Sequence, residues 1–469
     1  MIKVKTKGQV FTPLWIIKYI LDNVQYKNDI YDKKILEPSC GTGNFLEEII
    51  KRFIKDCQKN NISEENIIKL IKNNIIAFEI DENLRNIAIK RINNLIYKLL
   101  KINYDFSNNI LLGNSLYLYK NYINYFDYIV GNPPYVKIQN LDKNTKIYIQ
   151  NEFNFSKGNI DLYIIFFEIS LKMLNNKGKL GFITPNSYFK NYSNKNFRIY
   201  LLKNKLIKQI VNFQYYKIFK NFSTYTAITI LEKSYKNDYF KYYEFNENKI
   251  EFIRKIYYSE LEEIWNFQNK TIFINKNNYK LSDYYKFLNG FATLNDKIFI
   301  KDRNDLILKK FEKDLLYPIL KASKMEEKII LFPYKYIDNK IIRLSEEELK
   351  TKFPNIYEYF LNNKEKLLSR SLEKNIQWFE FGRSQALKHC FNEKIALSSI
   401  IYDRIKYKLL DEKTFVYSGL FAIKKENVKN WDFLIETFEN KKFLKFLKGY
   451  TKYMANGYYS LSSRILNNI

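Results

Sequence analysis

Short apolar runs alternate with helical patterns along the first half of the chain. Runs of Ile, Leu, Val and Phe bounded by polar residues predict strands that are buried on both faces of a sheet. Between these runs, apolar residues recur at three- and four-residue spacing, as in helices that bury one face. Strands that alternate with helices predict an α/β fold with a parallel, doubly wound sheet. The predicted strands are 35–36, 75–79, 110–112 and 128–130, and the predicted helices are 14–23, 45–57 and 82–99.

The pattern changes in the second half of the chain. A β-branched strand is predicted at 226–231, after which the sequence becomes polar and rich in Tyr, Lys, Asn and Glu. A new set of apolar segments begins near Leu288. We therefore predict a first domain over 1–245, a linker over 246–280 and a second, mixed domain over 281–469.

The fourth predicted strand ends at the segment Gly131-Asn132-Pro133-Pro134-Tyr135. Prolines cannot donate to a sheet ladder, so these residues lie beyond the strand, at the carboxyl edge where open α/β folds bind ligands. The Asn132 side-chain oxygen and the Pro133 carbonyl can accept both hydrogens of an exocyclic amino group, which directs its lone pair at a methyl donor. Tyr135 can stack on a flat base. We interpret the segment as a catalytic loop rather than an ordinary Pro-Pro turn.

A glycine-rich turn joins the first strand to a helix. Gly41 and Gly43 allow a ligand to approach the backbone closely, and the helix N-terminus favours anionic groups. Glu79 ends the second strand, where such folds place the acid that binds ribose hydroxyls. We attribute the long interval between Gly43 and Glu79 to a long helix and a Lys/Asn-rich loop. Upstream, Thr12 is predicted as the N-cap and Pro13 as the first residue of the first helix.

Composition and charge narrow the class of partner. The 469 residues include 78 Lys and Arg against 50 Asp and Glu, a net charge of +28, which favours a polyanion. An A+T-rich genome would also raise the Lys and Tyr content, but it would not lower the acidic content, so nucleic acid stays the preferred partner. One histidine and three cysteines without metal-ligand spacing predict no metal site and no histidine catalysis. Cysteine usage indicates a reducing cytoplasm, and neither a membrane span nor a secretory signal is predicted.

Four sequence blocks together resemble the gamma-class, TaqI-like or Eco57I-like adenine-N6 DNA methyltransferases. In chain order they are Gly-Gln-Val-Phe-Thr-Pro from residue 8, Glu-Pro-Ser-Cys-Gly-Thr-Gly-Asn-Phe from residue 37, Phe-Glu-Ile-Asp from residue 78 and Asn-Pro-Pro-Tyr from residue 132. The resemblance implies a Rossmann-like methyltransferase domain that uses S-adenosylmethionine. The second domain resembles the TaqI-like C-terminal specificity domain, which implies DNA recognition.

The resemblance also implies a set of cofactor contacts. Glu79 would bind the ribose hydroxyls, and Ile80 would pack on the adenine of S-adenosylmethionine. Asn114 stands where the family usually has Asp, so it would accept from the cofactor's adenine amino group without a charge. The other expected contacts are Phe11, Thr12, Pro13, Glu37, Pro38, Gly41, Gly43, Ser115 and Asn132, of which Thr12, Pro13, Glu37, Gly41 and Gly43 would touch the methionine part.

By the same resemblance, Tyr135 and an aromatic residue of a later loop would clamp a flipped-out target base. Phe219 is the first choice, with Phe222 and Tyr225 as rivals. Arginine serves both phosphate groups and guanine edges, although structural ion pairs are an equal alternative for the arginines of the second domain. The candidate DNA contacts there are Gly382, Arg383, Tyr458 and Arg464.

These observations predict a site-specific DNA methyltransferase that modifies the N6 amino group of an adenine flipped out of duplex DNA. It would be a monomer and either the modification part of a restriction–modification system, beside a separate endonuclease, or a stand-alone methylase. No fused nuclease is expected, because the blocks run from near Met1 to the last residues. The alternative is an RNA adenine or protein-glutamine N-methyltransferase, since both can use an Asn-Pro-Pro-Tyr grip. A DNA-binding subunit with an inactive methyltransferase fold is a third possibility.

Overall fold

The computed structural model describes residues 12–219, 224–267, 280–454 and 457–469. The chain divides into two compact units, Met1–Phe267 and Gln268–Ile469. The strands of the first unit are β1 (Ile35–Glu37), β2 (Ile75–Glu79), β3 (Ile110–Leu112), β4 (Phe126–Gly131), β5 (Leu174–Pro185), β6 (Ile207–Asn212), β7 (Thr226–Glu232), β8 (Tyr239–Asn246) and β9 (Lys249–Tyr257). Its helices are α1 (Leu14–Asn23), α2 (Asn44–Lys59), α3 (Glu64–Asn74), α4 (Glu82–Leu100), α5 (Ser115–Leu118), α6 (Lys143–Glu152), α7 (Leu162–Met173) and α8 (Lys195–Lys203).

Among the described residues, nine strands of the first unit form one sheet in the order β3-β2-β1-β4-β5-β7-β6-β8-β9. Strands β7 and β9 run antiparallel to their neighbours, and the other pairings are parallel. From β1, strands β2 and β3 follow on one side of the sheet, whereas β4 and β5 follow on the other, so the strand order reverses between β1 and β4. The carboxyl ends of these two strands border the crevice in which such sheets bind ligands. The predicted α/β, Rossmann-like sheet is confirmed.

Helices cover both faces of this sheet. Helices α1 to α4 pack on one face, where Phe53 and Ile92 are completely buried. Helices α6 to α8 pack on the other face, where Phe167 and Leu201 are completely buried. Because the central strands are covered on both sides, they carry continuous apolar runs rather than an alternating pattern. This arrangement explains why the first strands were visible in the sequence.

Two local predictions in the first unit are wrong. Helix α1 begins at Leu14 with Pro13 as its N-cap, so Thr12 does not cap it. The Thr12 hydroxyl instead accepts a hydrogen bond from the side chain of Asn132. The interval after α2 contains helix α3 in addition to a loop, and its buried face consists of Ile67 and Ile71 among many Lys and Asn residues. Its apolar residues Ile67, Ile68, Leu70 and Ile71 have helical spacing, so the sequence carries a pattern that the prediction missed.

Strand β9 lies inside the stretch that was predicted as a linker. It pairs with β8 and so continues the sheet of the first unit as far as Tyr257. Most of its side chains are exposed, because an edge strand has no second neighbour and this one is covered little on its faces. Its polar composition therefore resembled a connecting segment. The functional domain limits themselves stay a prediction.

The second unit has mixed structure. Its strands are β10 (Tyr285–Asn289), β11 (Ile300–Lys301), β12 (Leu316–Lys321), β13 (Glu326–Leu331), β14 (Tyr334–Ile337), β15 (Lys340–Arg343), β16 (Lys394–Leu397), β17 (Ile400–Ile401), β18 (Tyr407–Leu410), β19 (Phe415–Tyr417), β20 (Leu420–Lys424), β21 (Lys452–Tyr453) and β22 (Tyr459–Ser460). In the part that the structure describes, β10-β20-β16-β18 and β11-β13-β12-β19 form two four-stranded sheets, in which only the β12–β19 pair is parallel. Its helices are α9 (Leu281–Tyr284), α10 (Asp296–Phe299), α11 (Glu346–Lys352), α12 (Pro354–Leu361), α13 (Lys364–Leu368), α14 (Asp432–Glu439), α15 (Lys441–Tyr450) and α16 (Ser463–Leu466).

Two apolar cores support this unit. One lies around Phe332 and Phe381, and the other around Leu397 and Leu434. Across the described ranges of the whole chain, no helix combines the length and apolar character needed to cross a bilayer. The same ranges contain no group of three or more His, Cys, Asp or Glu residues that could hold a metal ion.

Candidate functional site

The carboxyl edge of the first sheet brings most of the predicted site residues together. Glu37 ends β1, Glu79 ends β2 and Asn132 directly follows β4. A Cβ atom built on Gly131 would lie 3.6 Å from the Glu37 Cγ atom, so the loop after β4 runs close to the end of β1. The fold therefore brings the Glu37 side chain and the loop that carries Asn132 together at the crevice between β1 and β4.

Asn132 makes one side-chain and one backbone-carbonyl hydrogen bond at the crevice. Its Nδ2 atom donates to the Thr12 Oγ1 atom at 3.2 Å, and its backbone carbonyl accepts from the Ser39 Oγ atom at 3.4 Å. Its Oδ1 atom is buried and has no hydrogen-bond partner among the described residues. A buried acceptor without a donor destabilises a protein by about 1–3 kcal/mol, so a ligand that donates a hydrogen bond to this oxygen would gain binding free energy. Pro133 follows it and is buried, and Pro134 is half-buried.

Tyr135, three residues after Asn132, lies near Phe219. The Tyr135 hydroxyl donates to the Ile183 carbonyl at 3.1 Å, and burial raises the pKa of Tyr135 well above its usual value, so the ring stays neutral. The ring centroids of Tyr135 and Phe219 are 6.4 Å apart, with an angle of 61° between the planes. A flat base between two parallel rings needs about 7 Å, two contacts of about 3.5 Å each. At 6.4 Å and 61° the two rings are in direct edge-to-face contact, and Phe219 is only 5% exposed, so the rings must separate and turn before a base fits between them.

Glu37 is a buried acid with an open acceptor. Only 2% of its surface is exposed, and its Oε2 atom has no hydrogen-bond partner within the described part of the chain. Burial, and to a lesser extent the neighbouring Glu79, raises the pKa of Glu37 well above its usual value, while a hydrogen bond from the Leu46 backbone opposes the rise. A cationic group placed at Oε2 would favour the ionised form.

Glu79 organises the glycine-rich turn. Its Oε2 atom accepts from the Gly41 backbone N–H at 2.7 Å, and its Oε1 atom accepts from the N–H groups of Ile80 and Asp81 at 2.9 and 3.0 Å. Burial raises the pKa of Glu79, and these backbone hydrogen bonds lower it. Each carboxylate oxygen has two lone pairs, so Oε2 can accept one further hydrogen bond. The Asp81 side chain is engaged elsewhere, because it caps helix α4.

The glycines and their neighbours leave room for a ligand. Gly41 has a φ of +53°, and a Cβ atom added there would meet no atom within 4 Å. Gly43 has a φ of +83° and packs against Ala88, so it serves the backbone turn. The Ile80 side chain is 54% exposed although it is large and apolar. Gly41, with its left-handed backbone and no atoms over it, and the exposed Ile80 side chain lie at one edge of the sheet. Together they leave an open surface on which a flat molecule can pack.

Asn114 and Ser115 lie at the end of β3. The Asn114 Oδ1 atom accepts from the Leu116 backbone N–H at 3.0 Å and thereby caps helix α5. It retains a second lone pair, but a ligand amino group would have to share the oxygen with this cap. The Ser115 hydroxyl donates to the Pro38 carbonyl at 2.5 Å, which ties α5 to the loop after β1. Ser115 and Pro38 are thus connected to each other within the same edge.

Two of the predicted aromatic positions, Phe11 and Phe222, lie outside the described residues. Tyr225 is half-buried at the start of β7, where its carbonyl accepts from the Asn186 backbone. Sequence reasoning did not single out Ser39 or Ile183, which support Asn132 and Tyr135. Ser39 belongs to the glycine-rich block, whereas Ile183 contributes only a backbone carbonyl and carries no recognisable signal.

The four candidate DNA contacts of the second unit have different surroundings. Gly382 is buried, and a Cβ atom there would lie 2.5 Å from the Leu294 side chain, which favours a packing role. The Arg383 guanidinium donates to the Ser371 carbonyl at 2.8 Å. Tyr458 is 42% exposed, and Arg464 is exposed as well. Tyr458 and Arg464 are therefore the more accessible of the four.

Comparison with solved structures places the fold among restriction–modification enzymes. The structure of the Type IIL restriction–modification enzyme MmeI in complex with DNA matches with a TM-score of 0.66 and 13% identity, over 97% of this chain and 66% of that one. The nuclease-deleted Type ISP enzyme LlaGI matches with a TM-score of 0.57 and 13% identity, over 94% of this chain and 52% of that one. These likenesses define the class of fold, an α/β sheet accompanied by a second mixed unit.

Sequence comparison finds similarity to one family over part of the chain. Residues 25–219 match the family described as Eco57I restriction-modification methylase. The restriction enzyme and methyltransferase RM.Eco57I of Escherichia coli is 27% identical over 87% of this chain, and this chain spans about half (51%) of its length. The methyltransferase M.HincII of Haemophilus influenzae is 26% identical over 98% of this chain and 88% of its own length. Residues 25–219 are therefore similar to the Eco57I restriction-modification methylases, and the predicted resemblance is confirmed.

Proposed function

We propose that this protein is a site-specific DNA methyltransferase that transfers a methyl group from S-adenosylmethionine to the N6 amino group of an adenine flipped out of duplex DNA. The observation that carries the proposal is the buried Asn132 Oδ1 atom at the crevice, which lacks a donor among the described residues. An exocyclic amino group would supply that donor. The adjoining Pro133 carbonyl would accept the second hydrogen of the same group.

The Asn132 grip changes the reactivity of the amino group. The lone pair of an exocyclic amine is delocalised into the base, which makes the nitrogen a poor nucleophile. Two acceptors that hold both hydrogens favour a tetrahedral nitrogen whose lone pair points away from the ring. Positioning of this kind contributes much of the rate in reactions between two bound groups. The proton leaves after methyl transfer, when the nitrogen is cationic, so the site needs no strong base.

The residues at the edge of the sheet suit S-adenosylmethionine. Its bound sulfonium would supply the activated methyl group. Glu37 would hold the cationic amino group of the methionine part at its Oε2 atom, and Glu79 would accept from a ribose hydroxyl. Ile80 would cover the cofactor's adenine, and Asn114 would accept from the adenine amino group. The uncovered Gly41 backbone leaves space for the ligand beside these side chains.

Duplex DNA is the substrate class that we propose. The net charge of +28 favours a polyanion, and the names of related proteins refer to restriction enzymes and to a complex with DNA. The amino group of a paired adenine lies inside the stack, so it must be extruded to reach Asn132. Tyr135 and Phe219 would then stack on the extruded base. The second unit would supply sequence recognition, in which Tyr458 and Arg464 are the accessible candidates.

The test is methyl transfer from labelled S-adenosylmethionine to duplex DNA, single-stranded RNA and denatured protein, followed by nucleoside and amino-acid analysis. The proposal predicts N6-methyladenine in duplex DNA at defined sites. N4-methylcytosine would retain the grip on an exocyclic amine but refute the choice of base. Label in RNA or in glutamine would support the alternative substrates, and cofactor binding without transfer to any substrate would support an inactive DNA-binding subunit.

A further inference from the structure

Thr12 lies at the junction of the proposed cofactor site and the catalytic amide. It is 7% exposed, and its Oγ1 atom accepts the 3.2 Å hydrogen bond from Asn132 Nδ2. Resemblance to the family assigns Thr12 only a contact with the cofactor. The hydrogen bond shows a second relation, because it joins Thr12 to the side chain that would grip the target base.

The orientation of the Asn132 amide decides what it can bind. With Nδ2 towards Thr12, the Oδ1 atom is the end of the amide that lacks a partner within the described residues. An amide rotated by half a turn would present two N–H donors to an amino group that also needs to donate, and the contact would be repulsive. The grip on an exocyclic amine therefore requires the orientation that the structure shows.

We propose that Thr12 is a positioning residue that fixes the Asn132 amide with its oxygen towards the target amino group. This inference rests on the proposed function. A hydroxyl has one proton and two lone pairs, so Thr12 can accept from Asn132 and still donate to another group. If that proton is donated to an acceptor such as a carboxylate of the methionine part of the cofactor, Thr12 can only accept from Asn132. The amide then has a single favourable orientation.

The test compares Thr12→Val, which keeps the shape but removes the hydroxyl, with Thr12→Ser, which keeps the hydroxyl. We expect Thr12→Val to lower kcat about tenfold, the factor that corresponds to roughly one hydrogen bond, with a smaller change in KM for DNA. Thr12→Ser should retain most of the activity. The matched control is Thr437→Val in helix α14, which removes an equally buried hydroxyl that donates to the Phe433 carbonyl. It should behave as the wild type.

A binding measurement separates positioning from general damage. DNA with adenine at the target and DNA with purine, which lacks the amino group, are titrated against each variant in the presence of S-adenosylhomocysteine. The wild type should prefer adenine, because Asn132 holds the amino group. Thr12→Val should lose most of that preference, and Thr12→Ser should keep it. Calorimetry with S-adenosylhomocysteine alone records any separate effect on cofactor affinity.

Several results would overturn the inference. Unchanged preference for adenine in Thr12→Val shows that the amide is oriented without Thr12, and equal losses in Thr12→Val and Thr12→Ser show that the hydroxyl is not the cause. The Asn132→Ala variant distinguishes failure of the proposed function from failure of the proposed role of Thr12. If Asn132→Ala still turns over, the proposed function fails; if it is inactive while Thr12→Val is normal, only the role of Thr12 fails.

Discussion

Replacement of Glu79 by alanine tests the proposed cofactor site at the side chain whose hydrogen bonds are best defined. The side chain is 7% exposed and accepts three backbone hydrogen bonds, of which the one from Gly41 at 2.7 Å holds the glycine-rich turn. A hydrogen bond to a charged group contributes about 1.5–3 kcal/mol. Loss of one ribose bond predicts cofactor binding weaker by about 1.5–3 kcal/mol, which is roughly a ten- to hundredfold rise in Kd. The Gly41 bond is made without cofactor as well, so its loss adds to this only as far as the turn changes shape.

Calorimetric titration with S-adenosylhomocysteine measures this loss directly. Asp81→Asn is the matched control, because Asp81 lies two residues away and caps helix α4 by accepting from Asn83 and Leu84. Asparagine is an equally good N-cap, so stability and cofactor affinity should both be retained. The reasoning is refuted if Glu79→Ala changes Kd by less than about threefold, or if Asp81→Asn causes the larger loss.

Three further predictions concern the proton, the base and the DNA. Burial raises the pKa of Glu37, and a bound cation favours its ionised form, so affinity for S-adenosylhomocysteine should fall as pH falls through that pKa. Calorimetry should show a flatter pH profile of affinity for Glu37→Gln. A pH profile with the same slope as that of the wild type would exclude Glu37 as the group that binds the cofactor's cation. The protein should bind DNA with an abasic site opposite the target more tightly than fully paired DNA, as measured by fluorescence titration. Phe219→Leu should reduce this difference in affinity, and Tyr225→Leu should reduce it less. A larger reduction for Tyr225→Leu would make Tyr225 the residue that stacks on the base. For the intact protein, log Kobs for duplex DNA should fall linearly with log salt concentration, and salt-independent binding would contradict the phosphate-contact interpretation.

The central sheet could be predicted because its strands are buried on both faces. The apolar runs that became β1, β2, β3 and β4 stand out from polar surroundings, and the helix predicted at 14–23 has the observed limits. Strand β9 could not be found in this way, because it lies at the sheet edge with most side chains exposed. A hydrophobic pattern in the sequence indicates which residues are buried. An edge strand whose side chains are mostly exposed therefore has no hydrophobic pattern that would predict it.

In the candidate site, too, some features could be predicted from the sequence and others could not. Asn132, Glu37 and Glu79 were predicted because each follows or ends a strand within a recognisable block, and the fold brings all three to one edge. The contacts between them were not predictable. The Thr12 hydroxyl was expected to cap a helix, whereas it joins Asn132 across 120 residues of chain. Long-range contacts of this kind depend on tertiary packing, which residue patterns do not encode locally.

The most direct test of the account is single-turnover methylation of duplex DNA by Asn132→Ala beside the wild type. The variant loses the buried Oδ1 acceptor but none of the side chains proposed to hold the ribose or the amino group of the cofactor. The account predicts that N6-methyladenine formation is abolished, while the Kd for S-adenosylhomocysteine changes by no more than about threefold. Methylation at a rate near that of the wild type would contradict the claim that Asn132 grips the target amino group.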